Sequence, residues 1–243
     1  RRPLAGPVLA DDDADVVARP LVRGVLEHRQ PEPTLYPSQH KGLARVLAQW
    51  GDTTLFWAAM AYNLQPKGAA AMFAGAPPEV AQAFGADRAA MSAGMNRLRP
   101  ADATVAYKSY LRRIANMLDG QEFLMGSAPC VADFATYHPL WFTRKRVPVM
   151  AGILDATPAV LEWMDRIEAL GQGRIEKFSA AGAITVAAGA EPMPLLDDIF
   201  QDEHGIALGS QVSITAESFG PEATQGELLA ATRTHYSLRR VDE

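Results

Sequence analysis

The sequence predicts an α+β chain, mainly α, made of a partial α/β segment, an all-α bundle and a small antiparallel β unit. Three observations predict it. Apolar side chains recur at helical spacing through residues 38–190, interrupted at proline and glycine. Two short apolar runs around an acidic turn precede that stretch, and period-two alternation follows it. The composition shifts near residues 37 and 190, so the expected domains are 1–37, 38–190 and 191–243.

In the first segment, Gly6-Pro7-Val8-Leu9 is a short apolar run, Asp11 to Asp15 an acidic turn, and Val16-Val17-Ala18 a second run. Leu21, Val22, Val25 and Leu26 then repeat at helical spacing, which reads as strand, turn, strand, helix. Pro31-Glu32-Pro33-Thr34-Leu35-Tyr36-Pro37 is a linker.

The bundle begins with one long helix. His40, Leu43, Val46, Leu47, Trp50, Thr54 and Trp57 share a broad face, widened by Leu55, Phe56 and Met60. Asn63 to Pro66 and Gly68 break it, and an Ala-Met-Phe run leads to a loop at Gly75-Ala76-Pro77-Pro78. Pro78 and Glu79 can start a helix carrying Val80, Phe84, Met91 and Met95. From Asp102 to Asp119, Val105, Tyr107, Leu111, Ile114, Met117 and Leu118 alternate with cations, and Gly120 ends that helix.

Residues 130–146 form a helix with a capping-box layout, Cys130 as cap and Asp133 three positions on. The carboxylate can reach back to orphan N–H groups and suits the positive end of the helix dipole. Pro129 and Phe134 can form a hydrophobic staple, and Phe134, Tyr137, His138 and Trp141 are expected on one face. Pro139 removes one ladder bond, so a kink is expected near Ala135. Arg144-Lys145-Arg146 is expected to be a solvated end matched to the dipole. Thr157 before Pro158 is a helix start, continued by Leu161, Met164, Ile167 and Leu170 to Gly171. A further helix runs from about Ser179 to Ala188.

Beyond a linker at Pro192 to Asp198, Gln211–Thr215, Glu227–Thr232 and His235–Val241 are strand candidates, with a turn at Gly220-Pro221. Such a meander needs further strands to close a core. The chain also opens on Arg1-Arg2-Pro3, without methionine, so it reads as a piece of a longer protein.

Composition bounds the function. With 48% apolar and 21% charged residues and a net charge of −5, the chain is an ordinary globular protein, not a nucleic-acid or anionic-membrane binder. No apolar run approaches the roughly 18 residues that span a bilayer. The single cysteine excludes an intrachain disulfide and fits a cytoplasmic setting. No phosphate loop, paired Cys-x-x-Cys, hydrolase triad or metal-ligand spacing is present, so no metal is expected. Cys130 can be read as a thiol activated at a helix N-terminus, but a buried capping thiol is the stronger reading.

Leu111, Ile114 and Leu118, then Phe123-Leu124-Met125-Gly126, then Pro129-Cys130-Val131-Ala132-Asp133-Phe134 resemble the core of a glutathione transferase C-terminal domain. That pattern is an apolar helix, a Phe-Leu-x-Gly turn and a Ser/Thr-x-Ala-Asp helix start, with cysteine here in the hydroxyl position. The Pro158–Ile167 stretch resembles a late helix of the same family, and residues 3–37 resemble the second half of its thioredoxin-like domain and the linker after it. The appended β module is similar to an extension of some bacterial members.

The resemblance implies glutathione as cosubstrate, conjugated as its thiolate to an electrophilic apolar substrate, in a homodimer paired through the first two long bundle helices. Pro7 would be a cis proline, leaving the backbone of Val8 to pair with glutathione. Arg19 stands with Ala18 where the family has a Glu/Asp-Ser/Thr pair; it can hold a carboxylate but cannot reproduce the ammonium contact. Trp50, Phe56 and Trp57 would form the substrate wall, although such faces also read as plain core. The family's thiolate-activating residue follows a first strand that this sequence lacks, so no catalytic residue is named. The alternative is a non-catalytic protein that keeps the fold for partner binding.

Overall fold

The structure, a computed structural model, describes residues 34–173, 175–191, 200–201, 204–217, 219–232 and 235–240. The expected strand-turn-strand-helix segment, with Pro7, Val8 and Arg19, and the whole linker at 192–198 lie outside them. Of the described residues, 34–83 and 96–173 form one compact unit, and 84–95 with those from 175 onward form a second.

The first unit is helical. The predicted long helix is present as α1 (Lys41–Trp50) and α2 (Phe56–Asn63), joined by a wider π-helical turn at Gly51–Leu55. Ala44, Ala48 and Gly51 are buried along it. A Cβ on Gly51 would stand 3.1 Å from the Ala135 carbon and the Thr136 nitrogen, so glycine permits the close approach of a later helix. The break at Leu64-Gln65 is where the sequence places it. The Ala-rich run after it is itself a short helix, α3 (Pro66–Met72), with proline at the start. Gly68 is obligatory there, because a Cβ would fall 1.8 Å from the Asn63 carbonyl oxygen.

Helix α4 (Pro78–Met91) starts at the expected proline, and none of its residues is buried. Helix α5 (Pro100–Met117) buries Ala103, Tyr107, Leu111 and Ile114, a face of i, i+4, i+8 and i+11 spacing. Val105, counted among its apolar positions in the sequence, falls off that face and is 69% exposed. Gly120, at φ 68°, follows the helix end in the left-handed conformation. Phe123 and Gly126 close a tight turn by exchanging backbone hydrogen bonds of 2.9 and 3.2 Å.

Helix α6 (Val131–Trp141) runs on into a second π-helical turn, Phe142–Arg146. Phe134, Tyr137, His138 and Trp141 are all half-buried, with Phe134 and Tyr137 packed against the core. The deepest positions are Ala132, Asp133, Thr136, Pro139 and Leu140. The Gly51 turn packs closely against the backbone at Ala135 and Thr136 on that side. A 3₁₀ segment (Pro148–Leu154) leads to α7 (Pro158–Ala169), which buries Val160, Trp163, Met164 and Ile167. Thr157 occupies the cap position without capping: its hydroxyl donates back to the Leu154 carbonyl at 3.0 Å. The core joins α2, α5, α6, the 3₁₀ segment and α7 around fully buried Trp163, Tyr107, Leu55 and Leu111.

The second unit holds helix α8 (Ala180–Gly189), capped by Ser179, whose Oγ accepts from the Gly182 N–H at 3.0 Å. Its sheet is β1 (Gln211–Ile214), β2 (Thr224–Ala231) and β3 (Tyr236–Arg239), antiparallel in the order β1-β2-β3. Register pairs Val212 with Gly226 and Leu228 with Leu238, while a bulge between Leu228 and Ala230 shifts the second hairpin. Gly226 is needed at this pairing, since a Cβ would lie 2.6 Å from the Arg239 carbonyl oxygen.

Candidate functional site

The capping box at the start of α6 is closed, and its carboxylate does more than cap. Asp133 is fully buried. Its Oδ2 accepts from the Cys130 N–H at 2.9 Å. Its Oδ1 accepts from the Leu124 N–H at 2.9 Å and from the Trp163 indole N–H at 2.9 Å. One side chain thus ties the Phe123–Gly126 turn, the α6 cap and α7 together. The partners at Leu124 and Trp163 are invisible to a local reading, because they lie 9 and 30 residues away. Charge-assisted bonds of this kind are about twice as strong as neutral ones.

Cys130 is the cap, with its side chain facing the Asp133 amide. Burial, then the nearby Asp133 charge, pushes its thiol up to about 11. That environment keeps the thiol protonated and unreactive, the opposite of an activated nucleophile.

The aromatic residues singled out in the sequence divide between two neighbours. Trp50 is half-buried and packs edge-to-face on Tyr110 of α5, centroids 5.4 Å apart. Phe56 is half-buried, meets Trp57 edge-to-face at 5.1 Å, and lies near-parallel to the His138 ring of α6 at 6.0 Å. Tyr110 and His138 were not foreseen as part of this wall; sequence separation hides both. Burial lowers the His138 imidazole below its ordinary 6.5. Between Trp50 and Phe56, Asp52 stands at the surface, and partial desolvation raises its carboxyl above 3.8. Two half-buried ring contacts result, Trp50 with Tyr110 and Phe56 with His138.

A second polar cluster lies inside the unit. The Thr143 Oγ1 donates to the Pro139 carbonyl at 3.1 Å. It accepts from Asn63 Nδ2 at 2.7 Å and stands 2.8 Å from the Tyr107 hydroxyl. A threonine hydroxyl has one proton, so Tyr107 is the donor in the last contact. Burial holds the Tyr107 phenol far above its usual range. This cluster supplies a partner for a carbonyl next to the proline in α6, and it takes no part in the aromatic wall.

The basic triplet ends the second π-helical turn: Arg144 pairs with Asp165 at 2.6 Å and Lys145 with Glu168 at 2.7 Å, exposed ion pairs that reach across to α7. Among the described residues, no group of acidic, histidine and cysteine side chains could hold a metal, and no helix is long and apolar enough to cross a membrane. Pro7, Val8 and Arg19, the residues expected to hold glutathione, lie outside the described residues.

Comparison with known proteins bears on this arrangement. Residues 79–170 match the model of the glutathione S-transferase, C-terminal domain, a span that contains the Phe123–Gly126 turn, the Cys130–Asp133 box and Trp163. A GST-like protein from Pseudomonas syringae is 31% identical over 90% of this chain and 68% of its own, with a TM-score of 0.66. A beta-etherase from Sphingobium sp. strain SYK-6 is 21% identical over 61% of this chain and 68% of its own, with a TM-score of 0.40. No curated protein matches.

Proposed function

The chain belongs to the glutathione transferase family, and from that premise we propose that it conjugates the glutathione thiolate to an electrophilic apolar substrate. The observation that carries the reading is the aromatic wall of α1 and α2. Trp50 and Phe56 pack against the core while keeping ring surface partly open, and half-buried Trp57 meets Phe56 edge-to-face. Open aromatic surface held by a rigid helix binds flat apolar molecules at low entropic expense. His138 adds a neutral hydrogen-bonding edge beside Phe56.

In this reading Pro7, Val8 and Arg19 hold glutathione, and its sulfur forms a bond to the substrate's electrophilic carbon as the leaving group departs with the bonding electrons. The thiolate-activating residue belongs to a part of the family's first domain that the sequence does not contain. We also propose the remaining assignments made by resemblance: a thioredoxin-like segment at 1–37, a cytoplasmic setting, and a homodimer paired through the first long helices. Leu43 and Val46, 57% and 64% exposed on α1, support the last of these.

A second reading, a non-catalytic partner-binding protein, is favoured by Ala18-Arg19 standing where the family places an acidic and a hydroxyl residue. Passage of the full-length protein over immobilised glutathione separates the two. Retention with elution by free glutathione supports conjugation, and flow-through supports the second reading. If the wall is the substrate site, Trp57→Ala raises KM for an aromatic electrophile several-fold and leaves glutathione retention unchanged.

A further inference from the structure

The β unit contains a cleft of about 290 Å³, apart from the aromatic wall. Its floor is the apolar face of the sheet, where register and the β2 bulge bring Val212, Leu228 and Ala231 together. Phe200, Gln201 and His204 line it as well, with the Gln201 N–H donating to the Ala231 carbonyl at 3.0 Å and the Gly209 N–H to the Leu228 carbonyl at 2.8 Å. Leu228 and Ala231 are each only 4% exposed, whereas Phe200 and Tyr236 are 39% and 45% exposed. The lining is therefore dry at the bottom and open at the rim. Gln201, Ser213 and Thr215 add polar groups to the lining, and His204 Nε2 lies 2.9 Å from the Tyr236 hydroxyl, a paired polar site at the rim.

Size and chemistry narrow the occupant. A cavity of about 150 Å³ holds a benzene ring, so this cleft fits one ring with a short substituent. When the Tyr236 hydroxyl donates to His204 Nε2, the phenolic oxygen keeps lone pairs for a ligand donor. We propose that the cleft binds a small phenol or ring alcohol, its ring against Leu228 and Val212 and its hydroxyl donating to the Tyr236–His204 pair. This site is independent of the proposed transferase chemistry.

The test is ¹⁹F NMR titration of the full-length protein with 4-fluorophenol and, separately, fluorobenzene. Saturable binding of 4-fluorophenol is expected. Tyr236→Phe should weaken it about tenfold, the size of one hydrogen bond, and leave fluorobenzene affinity unchanged. Ala231→Leu, which fills the floor, should weaken both probes. A urea midpoint for each variant separates lost binding from lost folding; if Ala231→Leu does not fold, the Tyr236→Phe contrast decides alone. No saturable binding, equal weakening of both probes by Tyr236→Phe, or affinity untouched by either folded variant overturns the proposal.

Discussion

Asp133 and Asn63 are both fully buried polar side chains of the helical unit, yet their surroundings differ. Asp133 receives three donors, two of them backbone N–H groups, and its carboxylate sits where two chain turns and an indole converge. Asn63 donates to Thr143, but its Oδ1 has no hydrogen-bond partner among the described residues. The difference shows what a buried polar group does for this fold. The carboxylate replaces water for donors that the fold cannot otherwise satisfy. The amide serves only as one donor to a hydroxyl and carries an unsatisfied acceptor of its own, which low dielectric makes costly.

The comparison is broken most directly at Asp133. Asp133→Ala strands the N–H groups of Leu124, Cys130 and Trp163 in a dry interior, so the loss of stability should be about 4 kcal/mol, large against the 5–15 kcal/mol of a typical domain. Urea unfolding followed by Trp fluorescence measures it, and a loss below about 1 kcal/mol would show that water reaches the three donors. Asp133→Asn keeps the shape but turns an NH₂ toward at least one donor, and it should be intermediate.

Thr143→Val comes next. It preserves volume while removing the partner of the Asn63 Nδ2, the Tyr107 hydroxyl and the Pro139 carbonyl. A loss of about 2 kcal/mol in the same urea assay is expected, smaller than at Asp133 because all three partners are uncharged. If Thr143→Val equals Asp133→Ala, the distinction between the two clusters fails.

These two clusters also mark how far the sequence could be read. The Cys130–Asp133 box is legible because it is local: cap and carboxylate are three residues apart, and helix geometry does the rest. The turn before it and the helices after it follow from proline, glycine and the 3.6 period, as do the antiparallel strands from period two. The Asn63–Thr143 bond spans 80 positions, and no periodicity announces it. The same limit explains α6. The 3.6 period groups Phe134, Tyr137, His138 and Trp141 on one face, but it does not announce that the Gly51 turn packs against the backbone at Ala135 and Thr136. The solvated end at Arg144 and Lys145 was legible, but not their partners Asp165 and Glu168, which lie on another helix. In the candidate wall, Trp50, Phe56 and Trp57 could be singled out from one helix, whereas Tyr110 and His138 arrive from two others.

His138 sharpens the comparison from the side of pH. Burial lowers its pKa from 6.5, so as pH falls the unfolded chain takes up the proton before the native state does. Stability is therefore highest above about pH 6.5 and declines below it until the native imidazole is protonated as well. His138→Gln should flatten that part of the profile. The readout is the difference between wild-type and variant urea midpoints at pH 7.5 and pH 5.0, which cancels the carboxylates common to both. Equal slopes would mean that His138 is as well solvated in the native state as in the unfolded chain, and the wall would lose its neutral edge.

The smallest effect belongs to Asn63→Leu. The two side chains are close in volume, and the substitution removes one hydrogen bond to Thr143 together with the unpaired Oδ1. Thr143 keeps its bond to the Pro139 carbonyl and its donor from Tyr107, so nothing new is stranded. Replacing a half-satisfied polar group by an apolar one of the same shape is close to neutral, and a change within about 0.5 kcal/mol of wild type is expected in the urea assay. A loss above about 2 kcal/mol would mean that the Asn63 Oδ1 is hydrated by a bound water, and that Asn63 and Asp133 are equals after all.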